Sequence, residues 1–473
     1  MSTRPRTRIV ATVGPATRTA TAIDELLDAG VDVARVNCAH GTPDELRATI
    51  TLLRERRERA GVPLAILADL AGPKLRVGRL AGGAAELAPG AALVLTPEDI
   101  VGDASHVPVS YADLADDVTP GMQIFLNDGL LSVVVTEIRG RDVATRVENG
   151  GTLTDRKGLS LPDAGTSLPS LTEKDRHDLD IVLAAGVEYV GLSFVRAAAD
   201  LDLLRDAIAT RGAAAHVVAK VEKRQAVEQL DAIVAAADAV MVARGDLGVE
   251  CPIESVPVLQ KHIIETCRRQ GTPVITATQM LESMTTSPRP TRAEASDVAN
   301  AVLDGSDAVM LSGETAVGRF PAETVRTMRR IVLAAEEYAA ARPVDGPRQA
   351  DAPGSAEATA RGAVRAADAC DAAALVCLTQ SGASALALAR LRSPRPLLAV
   401  TLDRTVQRRL SLVWGVEPVF VPEFGADFDH AVARVTELLR ERRGIAAGAR
   451  VVITAGLPFA ARAKTNTMRV ERL

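Results

Sequence analysis

HVVAKVEKR, residues 216–224, followed after a helical segment by AVMVARGDLGVE, residues 239–250, is the stretch from which the rest of the chain can be read. Each half begins as an apolar β-run and ends in charge. Side chains alternate along a strand, so Lys220 and Glu222 are expected on one face, and Arg244 and Asp246 likewise. Parallel neighbours lie about 4.8 Å apart, which would bring the carboxylates of Glu222 and Asp246 together. Buried and unpaired, each would cost several kcal/mol. A divalent cation with oxygen ligands is the expected companion. The Lys220–Glu222 spacing also fits a salt bridge on a solvated edge.

Outward from this stretch, short Val/Ile/Ala runs alternate with amphipathic segments. Strands are expected at residues 8–14, 31–37, 64–70, 189–194, 216–222, 239–246, 273–279 and 308–314. Helical segments such as TEKDRHDLDIVLAAG fit between them and end in Gly. Eight βα units imply a TIM (β/α)8 barrel, whose chemistry sits at the C-terminal ends of its strands. The polar residues fall there: Arg35, Asn37, Asp69, Ser193, Lys220, Glu222, Asp246, Thr278, Ser312 and Glu314.

The pattern breaks after the third strand. Residues 76–162 are rich in Gly and β-formers, with turn signals at Gly82-Gly83, Asn127-Asp128-Gly129 and Asn149-Gly150-Gly151. We expect an inserted all-β domain over 76–162 that emerges at the catalytic face and could close as a lid. Lys157 in this segment fits a phosphate contact or, equally, a solvated hairpin. The barrel is then expected over 1–75 and 163–342. A Pro/Gly/Asp-rich linker, RPVDGPRQADAPGS, leads to a C-terminal α/β domain over 343–473. Its TQSGAS loop, with Thr379, Ser381 and Ser384, suits a phosphate at a helix N-terminus or serves as a plain cap.

Composition narrows the function. The chain has 473 residues, a net charge of −5, 47% hydrophobic residues and 2% aromatics. Nothing there marks nucleic acid or an anionic membrane as a partner. Five cysteines without paired spacing, no signal peptide and no long apolar run lead us to expect a cytoplasmic location. Only seven of 55 Lys and Arg are Lys. Lys74, Lys157 and Lys220 therefore each invite a chemical question.

TRIVATVGPAT, ARVNCAHGTPDE, KVEKR, MVARGDLGVE, TATQMLESM, PRPTRAEASDVANAVLDGSDAVMLSGETAVG and TNTMRV, in this order, resemble the pyruvate kinase family over essentially the whole chain. The resemblance implies a glycolytic enzyme moving a phosphoryl group from phosphoenolpyruvate to ADP, commonly a homotetramer with an allosteric C-terminal domain. It implies Mg²⁺ or Mn²⁺ on Glu222 and Asp246, and Lys220 facing the transferring phosphoryl group. It also implies Arg35 gripping the phosphate, where an ion pair at the rim is the plainer reading. Thr278 belongs by resemblance to enolate protonation, supported by Ser312 and Glu314. The Gly245–Asp246 backbone would hold the substrate carboxylate, and Asn37, His40, Arg76 and Lys157 the nucleotide. A phosphorylated effector would bind at Thr379, Ser381 and Ser384. Around the family's monovalent-cation site, formed by Asn37, Asp69 and Leu70, this chain departs from many relatives. Ala39 replaces a serine ligand and Lys74 a carboxylate, so K⁺ independence is expected; an exposed loop lysine is the other reading of Lys74. A Mg²⁺-dependent pyruvate-enolate aldolase or lyase, and a non-catalytic metabolite sensor, are the competing functions.

Overall fold

The structure, a computed structural model, describes residues 4–162, 168–341, 354–425, 427–458 and 463–473. Most of the linker, and part of the segment LPFAARAKTNTMRV opposite the TQSGAS loop, lie outside the described residues. Eight parallel strands close into a barrel: β1 Arg8–Val13, β2 Val33–Asn37, β3 Ala65–Asp69, β4 Tyr189–Leu192, β5 His216–Val221, β6 Ala239–Ala243, β7 Val274–Ala277 and β8 Ala308–Leu311. Each pairs with its sequence neighbours, and β8 returns to β1. Alternate residues fill the interior, among them Val10, Leu67, Val218, Met241 and Met310, and the opposite faces pack against the surrounding helices.

Local sequence sets where the helices begin and end. Thr42, Thr172 and Thr291 each accept from the third helical N–H, while Glu45, Asp175 and Glu294 reach back to the cap. These capping boxes satisfy donors the helix leaves open, each worth roughly 1 kcal/mol. Gly61 and Gly186 end two of these helices in the left-handed region.

One regularity at the barrel floor was not anticipated. Asp32, Glu188, Asp238 and Asp307 each stand one residue before an even-numbered strand. Each accepts, through its carboxylate, the backbone N–H of Ile9, Ile66, Val217 or Val274 respectively, at 2.8–3.0 Å. Each also donates its own backbone N–H to the carbonyl of that same residue. Four strand pairs are thus stapled alike. The Glu188 staple is reinforced by Arg57, whose Nη1 lies 3.0 Å from the carboxylate, both side chains being almost wholly buried.

Between β3 and β4 the chain forms a six-stranded mixed sheet and a separate two-stranded one, with their own apolar core. Asn127, Asp128 and Gly129, all at positive φ, make the turn between Gln123–Leu126 and Leu131–Arg139. The C-terminal part carries a five-stranded sheet with helices on both faces. Its last strand, Thr467–Arg472, runs antiparallel at the edge. Leu412, from this part, joins the barrel's interior cluster from below.

Candidate active site at the barrel mouth

Four charged side chains interlock where β2, β3 and β5 end. Lys220 Nζ lies 2.7 Å from Glu222 Oε1 and 3.3 Å from Asp69 Oδ1, and donates to Ser193 Oγ at 2.7 Å. The Ser193 hydroxyl in turn donates to the Leu70 carbonyl. Arg35 Nε donates to Asp69 Oδ2 at 2.7 Å, and its Nη1 to Thr12 Oγ1. Glu222 Oε2 accepts the Phe194 N–H. Arg35 therefore stands in the ion pair that was its plainer reading. The Lys220–Glu222 bridge forms as well, but as a largely buried pair rather than on a solvated edge.

Burial by itself would lower the Lys220 pKa, but Asp69 and Glu222 outweigh it and raise it, so the ammonium stays charged. Asp69 is pulled below its ordinary value: Lys220 and Arg35 overcome the cost of burial. Glu222 goes the other way. Burial raises its pKa and the charge of Asp246 adds to that, against Lys220 and the Phe194 N–H. A buried carboxylate burdened in this way by its neighbour's charge is what a dication would relieve. No group of three or more His, Cys, Asp or Glu among the described residues could hold a metal unaided. The remaining ligands would have to come from substrate and water.

The path by which Asp246 reaches this place differs from the strand expected for residues 239–246. That strand stops at Ala243, and Arg244–Glu250 is a short helix. Alternation therefore does not put Arg244 beside Asp246. Arg244 turns away to donate to the carbonyls of Ala277 and Thr278, and is itself held by Asp297 at 2.6 Å. The strands expected to 279 and 314 likewise end early, at Ala277 and Leu311, because the chain turns sharply there. Thr278 has φ +69°, a strained conformation for a β-branched residue. Its hydroxyl donates to the Ala277 carbonyl and accepts the Gly245 N–H at 2.8 Å. Glu314 is wholly buried and accepts the N–H of Ser312 and of Leu281. The Ser312 hydroxyl is buried without a hydrogen-bond partner among the described residues.

A cleft of about 460 Å³ opens between the mouth and the β insertion, lined by Lys74, Asp128, Phe194, Gly245 and Asp246 among others. Lys74 Nζ lies 3.8 Å from Asp128 on the insertion's turn, so its described ion pair is with that turn and not with Asp69. Asn37 Oδ1 accepts the Ala39 N–H. Arg76 bridges to Gly158 at the crossing of barrel and insertion, and the Lys157 carbonyl accepts from Val77 close by. Exposed His40 has its pKa lowered by partial burial and by Arg76, Lys74, Arg35 and Lys174, a cationic neighbourhood suited to polyphosphate. Lys174, which donates to the Cys38 carbonyl at 2.8 Å, was missed in the sequence. The scarcity of lysine was the signal that could have found it.

The TQSGAS hydroxyls do not share one face. Thr379 accepts the Gly382 N–H, Ser384 bonds Thr465, and Ser381 accepts weakly from Ala383.

Comparison with known proteins agrees along the chain. The family model "Pyruvate kinase, barrel domain" matches residues 4–325, and "Pyruvate kinase, alpha/beta domain" matches residues 357–471. The pyruvate kinase of Mycobacterium tuberculosis H37Rv is 44% identical over 475 residues, covering 99% of this chain and 98% of the relative. That of Corynebacterium glutamicum is 43% identical over 99% of this chain and 98% of the relative. That of Geobacillus stearothermophilus is 41% identical over 98% of this chain and 80% of the relative.

Proposed function

The chain belongs to the pyruvate kinase family, and from that premise we propose which of its residues carry the reaction. It moves the phosphoryl group of phosphoenolpyruvate to ADP, giving pyruvate and ATP, and depends on a divalent metal. The lyase and sensor alternatives find no support among the relatives.

Glu222 and Asp246 would hold the metal, Mg²⁺ or Mn²⁺, which when bound would supply Lewis-acid stabilisation of negative charge on the substrate's oxygens. Phosphoryl transfer depends mainly on positioning and charge. Lys220, kept charged by Asp69 and Glu222, presents a compact cation to the transferring group and to the enolate oxygen. Arg35, fixed by Asp69 and Thr12, offers its guanidinium to the phosphate. The Gly245–Asp246 backbone holds the carboxylate. Thr278 orients the water that protonates the enolate, with Ser312 and Glu314 behind it. Asn37, His40, Arg76, Lys157 and Lys174 serve the nucleotide.

The observation that carries this reading is Lys220, gripped by two carboxylates and one hydroxyl, one of those carboxylates being bonded to Phe194 of the cleft wall. A coupled assay of pyruvate formation that finds Lys220→Met as active as wild type would reject it.

We further propose that K⁺ is not required, on the strength of Ala39 and Lys74. Activity with and without K⁺ in Tris buffer tests this, and a large stimulation would reject it. We also propose the homotetramer that the resemblance implies, with Met468 and Val470, exposed on the edge strand, as candidates for a subunit contact. A phosphorylated effector at Thr379, Ser381 and Ser384 remains our reading of that loop. The five free cysteines support the cytoplasmic location we assign. No helix among the described residues is long and apolar enough to cross a membrane.

A further inference from the structure

The helix Arg244–Glu250 carries Asp246 but has only seven residues. So short a helix does not hold itself, and its anchors decide where it sits. At its N-terminal end it is fastened to the corner after β7. Arg244 donates to the carbonyls of Ala277 and Thr278, and the Gly245 N–H donates to Thr278 Oγ1 at 2.8 Å. These bonds refer Asp246 to β7, not to the end of β5 where Glu222 stands. At the other end of the helix Glu250 reaches the opposite way. Its Oε1 accepts from Lys223 Nζ at 2.7 Å, both side chains being largely buried, and Lys223 directly follows Glu222 in the chain.

Lys223 is itself fixed on two sides. Its carbonyl accepts the N–H groups of Ala226 and Val227, which starts the helix Arg224–Glu228. Its ammonium lies 5.9 Å from the centre of the Phe194 ring, within reach of a cation–π contact. Phe194 is the residue whose N–H holds Glu222 Oε2. Lys223 thus meets the support of Glu222 on one side and the helix of Asp246 on the other. Stability alone is a weak reason for such a pair, because taking two charges out of water costs about as much as their attraction returns, and apolar residues of like volume serve a core as well. This pair carries a further burden. Glu250 Oε2 is buried with no hydrogen-bond partner among the described residues, and burial raises the Glu250 pKa with the charge of Asp246 adding to it, against Lys223. What the bridge supplies and hydrocarbon cannot is direction. The helix needs it, since the insertion's turn presses on it: a Cβ on Gly129 would stand 3.2 Å from Val249 Cγ2.

We propose that Lys223 is a positioning residue for the divalent metal: its bridge to Glu250 sets Asp246 at the spacing from Glu222 that the ion requires. This rests on the reading of Glu222 and Asp246 as the ligands. Lys223 needs no contact with ion, substrate or nucleotide, because it acts through Glu250 and Phe194. Charge and position here work with opposite sign. A cation near the site repels the metal, so by charge alone the loss of Lys223 would tighten metal binding. By position, its loss weakens it.

Mn²⁺ binding to the full-length protein without substrates, followed by the electron paramagnetic resonance signal of the free ion, separates the two. Lys223→Met/Glu250→Leu keeps the net charge and leaves no buried charge unpaired, so the chain should fold, but the directed tie is gone. Its Mn²⁺ affinity should fall about tenfold or more. Lys223→Gln removes one positive charge and should weaken Mn²⁺ all the same; it serves should the double variant fail to fold. Lys223→Arg keeps both the charge and a donor for Glu250 and should restore most of the affinity. Wild-type or tighter Mn²⁺ binding in the folded Lys223→Met/Glu250→Leu or Lys223→Gln protein, even with a lowered Tm, overturns the proposal. Glu222→Gln is the reference. Unchanged affinity there sinks the metal reading itself, whereas a loss there beside wild-type affinity in the Lys223 variants sinks the positioning role alone.

Discussion

The two ends of the barrel use their carboxylates in different ways. At the floor, Asp32, Glu188, Asp238 and Asp307 spend their oxygens on backbone N–H groups of the neighbouring strand. At the mouth, Asp69 and Glu222 turn theirs chiefly to the side chains of Arg35 and Lys220. A carboxylate bonded to backbone fixes strand register and has little freedom to exchange partners. One bonded to a side-chain cation beside a cleft can trade it for substrate or metal. Burial, charge and a cationic partner alone do not distinguish the two, since Asp32, Glu188, Asp238 and Asp307 pair with arginines as well; the bond to the backbone of the neighbouring strand does.

The sharpest way to break this contrast is Lys220→Met. Pyruvate formation should fall about 10³-fold or more, while the chain still folds, since Asp69 keeps Arg35 and Glu222 keeps the Phe194 N–H. Steady-state kinetics beside a thermal melt checks both halves. Glu188→Gln should behave conversely. It leaves Arg57 a buried, uncompensated charge and should cost about 3 kcal/mol of stability, with kcat of the folded fraction little changed. Urea unfolding reads this, and a kcat loss matching that of Lys220→Met would erase the distinction.

The floor should also respond to acid in its own way. Burial, with Arg409 and Arg205 nearby, lowers the His216 pKa to about 4, against the pull of Asp238. Its ordinary value is 6.5, so the unfolded chain takes up a proton before the folded one does. The stability His216 contributes is therefore complete above 6.5 and lost as pH falls toward 4, by up to about 3 kcal/mol. Thermal melts of wild type and His216→Gln across that window should diverge, the variant being the flatter. The smallest effect expected is that of Lys74→Glu, which should make activity several-fold responsive to K⁺. An unchanged ion requirement would place Lys74 with the insertion's turn alone.

Most of this barrel was legible in its sequence, because few architectures besides a closed parallel barrel accommodate eight apolar runs that all end in polar residues. Lys220, Glu222, Arg35 and Asp69 could be brought together from strand alternation and order. Asp246 lies on a different element from the one alternation implies. The strand periodicity was carried past Ala243 into a helical turn, and Arg244 was assigned a direction it does not take. The sharp corner at Thr278, with φ +69°, left no trace in residue type, since a threonine there reads as a strand end. The floor acids were visible in VDV, VEY, ADAV and SDAV, yet an acid before a strand reads as an ordinary loop residue. Only the repeat at every second strand reveals its purpose, and that needs the register. The edge strand Thr467–Arg472 was present as a motif but not as a strand, because half its residues remain exposed.

The staple between Ile66 and Glu188 joins residues 122 positions apart in the chain, with the whole β insertion between them. Closing so wide a gap has an entropic cost that grows only slowly with length. It carries an additional buried cation, Arg57, as the Asp32 staple carries Arg8. A barrel seam clasped this firmly tolerates cargo: what is threaded between its two halves can be lengthened, shortened or exchanged while the cylinder beneath keeps its shape.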